Sequence, residues 1–173
     1  MSARPLTDFM KPLLCLTALL VASLTAAAQA KKAEIVSIKQ IEFKGDVKPG
    51  SNIVAIVSVQ VEKGYYLNSN RPTSPQMVRT DVQVSSTPAV KALPVSLSSA
   101  VPKTIQGVKD PVPVYEDAFT VNVPLAIAPN AVLPATLPAV LYYQATQNNV
   151  RQRPAQLRFN IVLAKPAASP PAK

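Results

Sequence analysis

Proline is the residue that most restricts how this chain can fold. The chain contains 18 prolines, of which the central ones are Pro49, Pro72, Pro75, Pro88, Pro94, Pro102, Pro111, Pro113, Pro124, Pro129, Pro134 and Pro138. A proline inside an α-helix removes a backbone hydrogen bond and clashes with the preceding turn. No proline-free stretch beyond residue 62 has apolar residues at helical spacing. The sequence therefore predicts short extended segments joined by turns.

Strict alternation of apolar and polar residues marks three of these segments as strands. In residues 51–62 isoleucine, alanine and valine occupy one face, and serine, glutamine and glutamate occupy the other. The same period of two recurs in residues 119–123 and 156–163. Such a period is typical of strands with one buried face. Several short strands separated by prolines predict an all-β fold, an antiparallel β-sandwich.

The first predicted strand, residues 34–43, departs from this regularity. Its apolar phase slips by one residue between Ile38 and Ile41. An extra residue in one strand of an antiparallel pair produces such a slip, so we expect a β-bulge near Lys39 and Gln40.

Residues 1–30 have the features of a secretory signal peptide. Two basic residues flank a polar start, the apolar run PLLCLTALLVASL follows, and residues 28–30 read Ala-Gln-Ala, which predicts cleavage after Ala30. An uncleaved N-terminal anchor is the alternative, although the apolar run is short for a transmembrane helix. We therefore predict a signal peptide, a single domain over residues 31–164 and a disordered Pro/Ala tail over residues 165–173. Export would place the protein in the periplasm of a bacterium or outside the cell.

Cleavage after Ala30 would remove the only cysteine, Cys15, and the chain has no histidine. The remaining residues therefore lack a Cys–His nucleophile, a Ser–His–Asp triad and any metal site built on histidine or cysteine. The only close pair of carboxylates, Glu116 and Asp117, would point to opposite faces of an extended segment. With four glycines in the chain, no glycine-rich phosphate loop is present. We expect no catalytic residues, no cofactor and no metal.

The predicted mature chain is basic, but its charges are scattered. Residues 31–173 carry 16 lysines and arginines against eight carboxylates, a net charge of +8. Nucleic-acid-binding proteins concentrate such charges on one face with aromatic residues between them. We therefore expect a solvated basic surface, no nucleic-acid partner and at most peripheral membrane contact. Attraction to an acidic protein partner or an anionic membrane surface is the alternative.

The segment YYQATQNNVRQRPAQLRF, residues 142–159, raises the main functional question. Leu141, Tyr143 and Ala145 fall on one face of a strand, and a polar loop from Thr146 to Pro154 leads to the last strand. This loop contains two arginines and no reactive group. It is therefore a binding loop, the remnant of an active site, or only a hairpin.

Three motifs resemble the N-terminal domain of DsbD. They are Gly64-Tyr65-Tyr66-Leu67-Asn68, Val114-Tyr115 and Tyr143-Gln144-Ala145, and the resemblance spans most of residues 33–163. It implies an immunoglobulin-like β-sandwich in the periplasm, in a family that passes electrons to other periplasmic thiol proteins. Where that family has its two redox cysteines, this chain has Thr146 and Arg151. Arg153 replaces the first of the two prolines that follow the second cysteine, and Pro154 retains the second.

A hydroxyl and a guanidinium cannot exchange disulfides, so the resemblance implies an active-site hairpin that has lost its thiol–disulfide exchange activity. The predicted function is non-catalytic binding of a periplasmic or envelope protein, with a thioredoxin-like protein as one candidate. Arg151 and Arg153 would each hold a carboxylate of the partner, and Tyr115 would cover the hairpin as a cap. The candidate binding residues are Tyr115, Tyr143, Thr146, Asn148, Asn149, Arg151 and Arg153.

Each of these residues also has a purely structural interpretation. Tyr143 would then belong to the core, Asn148 and Asn149 would form a turn, and both arginines would be solvated. Two other functions remain open at this point. One is an accessory role in thiol–disulfide interchange or cytochrome maturation, and the other is a hydrolase built on hydroxyls and carboxylates.

Overall fold

The computed structural model describes residues 34–164. The predicted signal peptide and the predicted C-terminal tail lie outside the described residues, so both stay predictions. Within the described range, no helix is long and apolar enough to cross a membrane. The strands, labelled in chain order, are β1 (Val36–Lys44), β2 (Asn52–Val61), β3 (Tyr65–Asn68), β4 (Asp81–Val84), β5 (Val90–Ala92), β6 (Ser96–Leu97), β7 (Val101–Lys103), β8 (Val112–Tyr115), β9 (Ala118–Ile127), β10 (Ala135–Tyr143), β11 (Ala145–Gln147), β12 (Val150–Arg151) and β13 (Ala155–Leu163).

Two layers of antiparallel strands enclose the core. The first layer is the sheet β1-β2-β9-β5, in which β6 also pairs with β9. The second layer contains the sheets β13-β10-β4 and β12-β11-β3-β8-β7. Buried side chains of both layers form one hydrophobic cluster, which includes Val57 and Val121 from the first layer and Leu67 and Leu141 from the second. The predicted all-β, immunoglobulin-like antiparallel β-sandwich is confirmed.

The three alternating segments of the sequence form β2, β9 and β13, with their apolar faces inward. Along β2 and β9 every second residue is buried, and the two strands are neighbours, with Val57 opposite Val121. The predicted β-bulge is confirmed too, because the register of β1 against β2 shifts between Ile38 and Gln40. The shift restores the inward phase, since Ile41 then lies opposite Val57. Period-two patterning therefore builds the central part of the sandwich.

The chain passes between the two sheets of the second layer at the end of β10. Leu141 and Tyr143, at the end of β10, and Ala145, the first residue of β11, are all buried, as the alternation predicts. Ala145 lies opposite Leu67 of β3, whereas β10 itself pairs with β4 and β13. The segment that follows Ala145 therefore extends the β3–β8 sheet and forms its outermost part.

Candidate functional site

A tight hairpin, β11–β12, occupies most of the segment that the sequence suggested was a loop. Thr146 lies opposite Arg151, and Gln147 lies opposite Val150. The two turn residues have positive φ, 48° at Asn148 and 62° at Asn149. Two consecutive left-handed residues define the type I′ turn that suits the twist of a hairpin, and asparagine adopts this conformation more readily than most residues do. The two asparagines therefore fix the register of the hairpin.

Thr146 and Arg151 form a cross-strand pair without mutual backbone hydrogen bonds. The backbone hydrogen bond belongs to the neighbouring pair, Ala145 and Gln152, because the amide of Gln152 donates to the carbonyl of Ala145 at 2.8 Å. Because bonded and non-bonded pairs alternate along an antiparallel ladder, the Cα atoms of Thr146 and Arg151 are about 4.5 Å apart. This distance falls within the range of about 4.4–6.8 Å that a disulfide spans. The geometry is therefore compatible with a cysteine pair at these positions.

The two members of this pair have different environments. Thr146 is buried, with 4% of its surface exposed, and lies opposite Tyr66 of β3. Arg151 belongs to β12, an edge strand of the sheet, and is exposed. A side-chain bond also ties the two ends of the hairpin together, because Nε2 of Gln144 donates to the carbonyl of Gln152 at 2.9 Å. The hairpin is thus held closed by noncovalent contacts, with only one member of the pair facing solvent.

A second, small hydrophobic cluster lies beside Thr146, on the face of the sheet turned away from the main core. Tyr66, Val112 and Val114 are its buried members, and Met77 and Ile105 pack against it. These two come from the loops that follow β3 and β7.

Lys103 joins this cluster to a charge pair. Its Nζ lies 5.3 Å from the centroid of the Tyr66 ring and 2.5 Å from Oε2 of Glu116. A cation at this distance over an aromatic face is attracted to the ring. Sequence reasoning did not identify Tyr66 as a neighbour of the hairpin, nor the contacts of Lys103 with Tyr66 and Glu116, because only the long-range pairing of β3, β7, β8 and β11 brings these residues together.

The structure corrects the expectation that Tyr115 covers the hairpin. Leu67 lies opposite both Ala145 and Tyr115, so Tyr115 points into the main core, away from Thr146. It is 2% exposed, stacks on Phe119 with ring centroids 4.5 Å apart, and its burial raises the pKa of its hydroxyl. That hydroxyl lies 3.0 Å from Oδ1 of Asn70 and 3.2 Å from the carbonyl of Ser98. Tyr115 therefore anchors the loop after β3 to the main core.

The other candidate residues divide between core and surface. Tyr143 is 8% exposed and belongs to the main core; burial, and to a lesser extent the charge of Glu34, raises the pKa of its hydroxyl. Arg151 and Arg153 are exposed. Among residues 34–164, no carboxylate lies within salt-bridge distance of either guanidinium. Asn148 and Asn149 at the turn are exposed as well, so a partner can reach these four candidates.

An open cleft of about 330 Å³ lies beside the downstream end of the hairpin. It is lined by Val78, Tyr142, Tyr143, Pro154, Ala155 and Gln156. Val78 and Tyr142 were not among the residues predicted from the sequence, because a single valine in a loop and the outward tyrosine of a strand carry no signal of their own. Within the described residues, no group of three or more acidic, cysteine or histidine side chains is placed to hold a metal ion.

Comparisons with known proteins give a consistent picture of the fold. A family model described as "Thiol:disulfide interchange protein DsbD, N-terminal" matches residues 32–150, whereas a search of curated protein sequences found no match. Among solved structures, the N-terminal periplasmic domain of ScsB from Proteus mirabilis is similar, with a TM-score of 0.50 and 15% sequence identity. That similarity covers 75% of this chain and 48% of the ScsB chain, and it supports the fold alone.

Two structures from Neisseria meningitidis are similar at a lower level. The reduced DsbD N-terminal domain matches with a TM-score of 0.43 and 19% identity, over 62% of this chain and 75% of that chain. A structure of the complex between the DsbD and PilB N-terminal domains contains a chain that matches with a TM-score of 0.43 and 17% identity, over 73% of this chain and 88% of that chain.

Proposed function

This chain belongs to the family of the N-terminal domain of the thiol:disulfide interchange protein DsbD, and we propose that it is an exported protein-binding module without thiol chemistry. The observation that carries the proposal is the pair Thr146–Arg151. These residues lie opposite each other in an ordered hairpin, at the positions where the sequence resemblance places the two redox cysteines. Disulfide exchange requires a thiolate, and Cys15 is the only cysteine of the chain.

The proposed binding surface is the exposed side of the β11–β12 hairpin. Arg151 and Arg153 are two residues apart and exposed, and Val150 beside them is 62% exposed. A guanidinium binds a carboxylate through two parallel hydrogen bonds, which favours a planar, directional contact. The surface therefore suits a partner that presents acidic residues to the two arginines, whereas the Val150 side chain points to the opposite face of β12. Thr146 and Tyr143 support this surface from inside, and Asn148 and Asn149 set its turn.

The proposed partner is a periplasmic or envelope protein. The DsbD N-terminal domain of Neisseria meningitidis has been solved in complex with the PilB N-terminal domain, so at least one relative binds another protein domain. A second candidate function follows from family membership: an accessory role in thiol–disulfide interchange or cytochrome maturation, in which this chain recognises a thioredoxin-like protein without exchanging electrons with it. The identity of the bound protein separates the two functions.

The proposed test is charge reversal on the hairpin. The double variant Arg151→Glu and Arg153→Glu, and the wild type, would be used to capture proteins from a periplasmic extract, and the affinity for the captured protein would be measured by calorimetry at two salt concentrations. Exposed ion pairs contribute about 0–1 kcal/mol each, so the loss of two predicts an affinity up to about 30-fold lower. Added salt should also weaken the wild-type complex.

Arg158→Glu is the matched control, because Arg158 is also exposed but lies in β13. This control should keep the wild-type affinity. Equal affinity of the double variant and the wild type would mean that neither arginine contacts the partner, and it would contradict the proposed binding surface.

A further inference from the structure

The outer edge of β12 ends a sheet without a strand beside it. In the order β12-β11-β3-β8-β7, β12 is the first strand, and among residues 34–164 it pairs only with β11. The opposite edge is β7, which contains Pro102, and a proline cannot donate a hydrogen bond to an added strand. Of the two ends of this sheet, β12 is therefore the one whose backbone can accept another strand.

Two hydrogen bonds define which backbone groups point outward along this edge. The amide of Gln152 donates inward to the carbonyl of Ala145, and the carbonyl of Gln152 accepts from the side chain of Gln144. Backbone groups alternate in direction along a strand, so the amide and carbonyl of Arg151, the last residue of β12, point away from β11. A trans peptide directs its carbonyl and its amide to opposite sides, so the amide of Arg153, just beyond β12, points away from the Gln144 side chain. Pro154 follows and has no amide hydrogen. The edge thus offers a donor and an acceptor at Arg151 and a donor at Arg153.

The side chains at these two positions are both exposed. Residues two apart in an extended segment are separated by about 6.6 Å along its axis, and residues directly opposite on a neighbouring strand have Cβ atoms about 4.5–5.5 Å apart. An added strand with acidic residues at alternate positions would place one carboxylate beside each arginine. We propose that an extended, acidic segment of the partner protein binds by adding as a strand to the outer edge of β12.

This proposal rests on the proposed function and specifies how the hairpin recognises its partner. Short edges with positive charges and prolines are known to protect sheets from unwanted pairing. The same features act selectively here, because two copies of this chain joined through β12 would bring arginines against arginines, whereas an acidic strand gains attraction. Charge complementarity therefore identifies the acidic segment, rather than a second copy, as the occupant of the edge.

The test uses a blocked synthetic hexapeptide in which glutamate alternates with valine, titrated at low salt against the processed chain. Two substitutions of one residue separate backbone pairing from charge. Arg151→Gln removes the cation and keeps the amide, whereas Arg151→Pro removes both. Since the Arg151 amide makes no bond to β11, the fold should tolerate proline there, and circular dichroism checks this.

Strand addition predicts saturable binding of the glutamate peptide and no binding of the same peptide with lysine in place of glutamate. Arg151→Pro should bind about fivefold or more weakly than Arg151→Gln, the effect of losing one further hydrogen bond. Amide hydrogen exchange gives an independent readout in the wild type: the peptide should slow exchange at Arg151 and Arg153 and leave Gln152, whose amide is already bonded, unchanged.

Three results would overturn the proposal. They are absence of saturable peptide binding, equal affinity of the proline and glutamine variants, and unchanged exchange at Arg151 and Arg153 in the saturated complex. If a captured periplasmic protein still loses affinity on charge reversal in any of these cases, the proposed function stands and its arginines act through their side chains alone. If charge reversal has no effect either, both proposals fail.

Discussion

Replacing Thr146 and Arg151 together by cysteine should create a disulfide without disturbing the fold. In an extended chain, residues five apart lie roughly 16–18 Å apart, but the hairpin places these two directly opposite each other. Their Cα separation of about 4.5 Å, typical of a non-bonded pair, lies at the short end of the range that disulfides adopt. The double variant should therefore oxidise within the molecule, in air or in the periplasm, with a mass decrease of two hydrogens.

The closed loop spans residues 146–151, and loop-closure entropy for so short a loop corresponds to about 2 kcal/mol of stabilisation. For a domain of this size, that free energy should raise the thermal midpoint by roughly 5–10 °C. Strain from the short Cα separation would reduce the gain. The comparison is made between the oxidised and reduced forms of the same variant, so the effects of replacing the Thr146 hydroxyl and the Arg151 guanidinium cancel.

The matched control pairs Thr146→Cys with Arg153→Cys. Because residue 153 is displaced by two positions from the residue opposite Thr146, the two Cα atoms would be about 7–8 Å apart, beyond the range of an unstrained disulfide. The control should oxidise slowly, and its midpoint should change little on reduction. A control that oxidises readily while the 146–151 pair stays reduced would refute both the register described here and the placement of the lost cysteines.

Four further outcomes are expected. The exported protein should begin at Lys31, so an intact mass that still includes residues 1–30 would contradict the signal peptide. The processed protein should give no signal with Ellman's reagent and should not reduce a disulfide substrate, because no cysteine remains. Burial raises the pKa of Tyr115 and Tyr143 above 10.0, so at high pH the folded state keeps protons that the unfolded chain has released. The free energy of unfolding should therefore fall as pH rises from about 10 through the folded pKa values. Replacing both tyrosines by phenylalanine should flatten this pH dependence, as measured by urea titrations. Tyr115→Phe alone should lower the free energy of unfolding at neutral pH by about 1 kcal/mol, because it removes the hydrogen bonding at Asn70 and Ser98.

The parts of the fold that local patterning predicts are those in which burial alternates over many residues. In β2 and β9, alternation continues for ten residues each, and one face must be buried whatever the partner strand is. β5, β6 and β7 have three, two and three residues, too few to show a period. They exist as strands because β9 and β8 offer them hydrogen-bonding partners, which is information that lies far away in the sequence.

The candidate site was predictable to a similar degree. Asn148 and Asn149 carry a turn signal of their own, and the alternation before them places Tyr143 inward. Tyr115 was misplaced because the two-residue motif Val114-Tyr115 does not reveal which residue faces the core. That choice depends on the register Leu67 opposite Tyr115, a pairing between residues 48 positions apart in the sequence. A long-range register of this kind decides the surroundings of every residue in a short strand.

The hairpin also explains how a chain of this family keeps its conformation without cysteines. Its turn is fixed by residues that accept positive φ, its strands are joined by the bond from Gln152 to Ala145, and its inner side packs on Tyr66 through Thr146. None of these contacts involves a thiol. The two positions where the sequence resemblance places the redox cysteines differ in what the fold allows: Thr146 is buried beside Tyr66, which favours small side chains, whereas Arg151 is exposed at the edge of the sheet. An arginine at the exposed position is compatible with the fold but not required by it, which agrees with the proposed role of Arg151 in binding a partner.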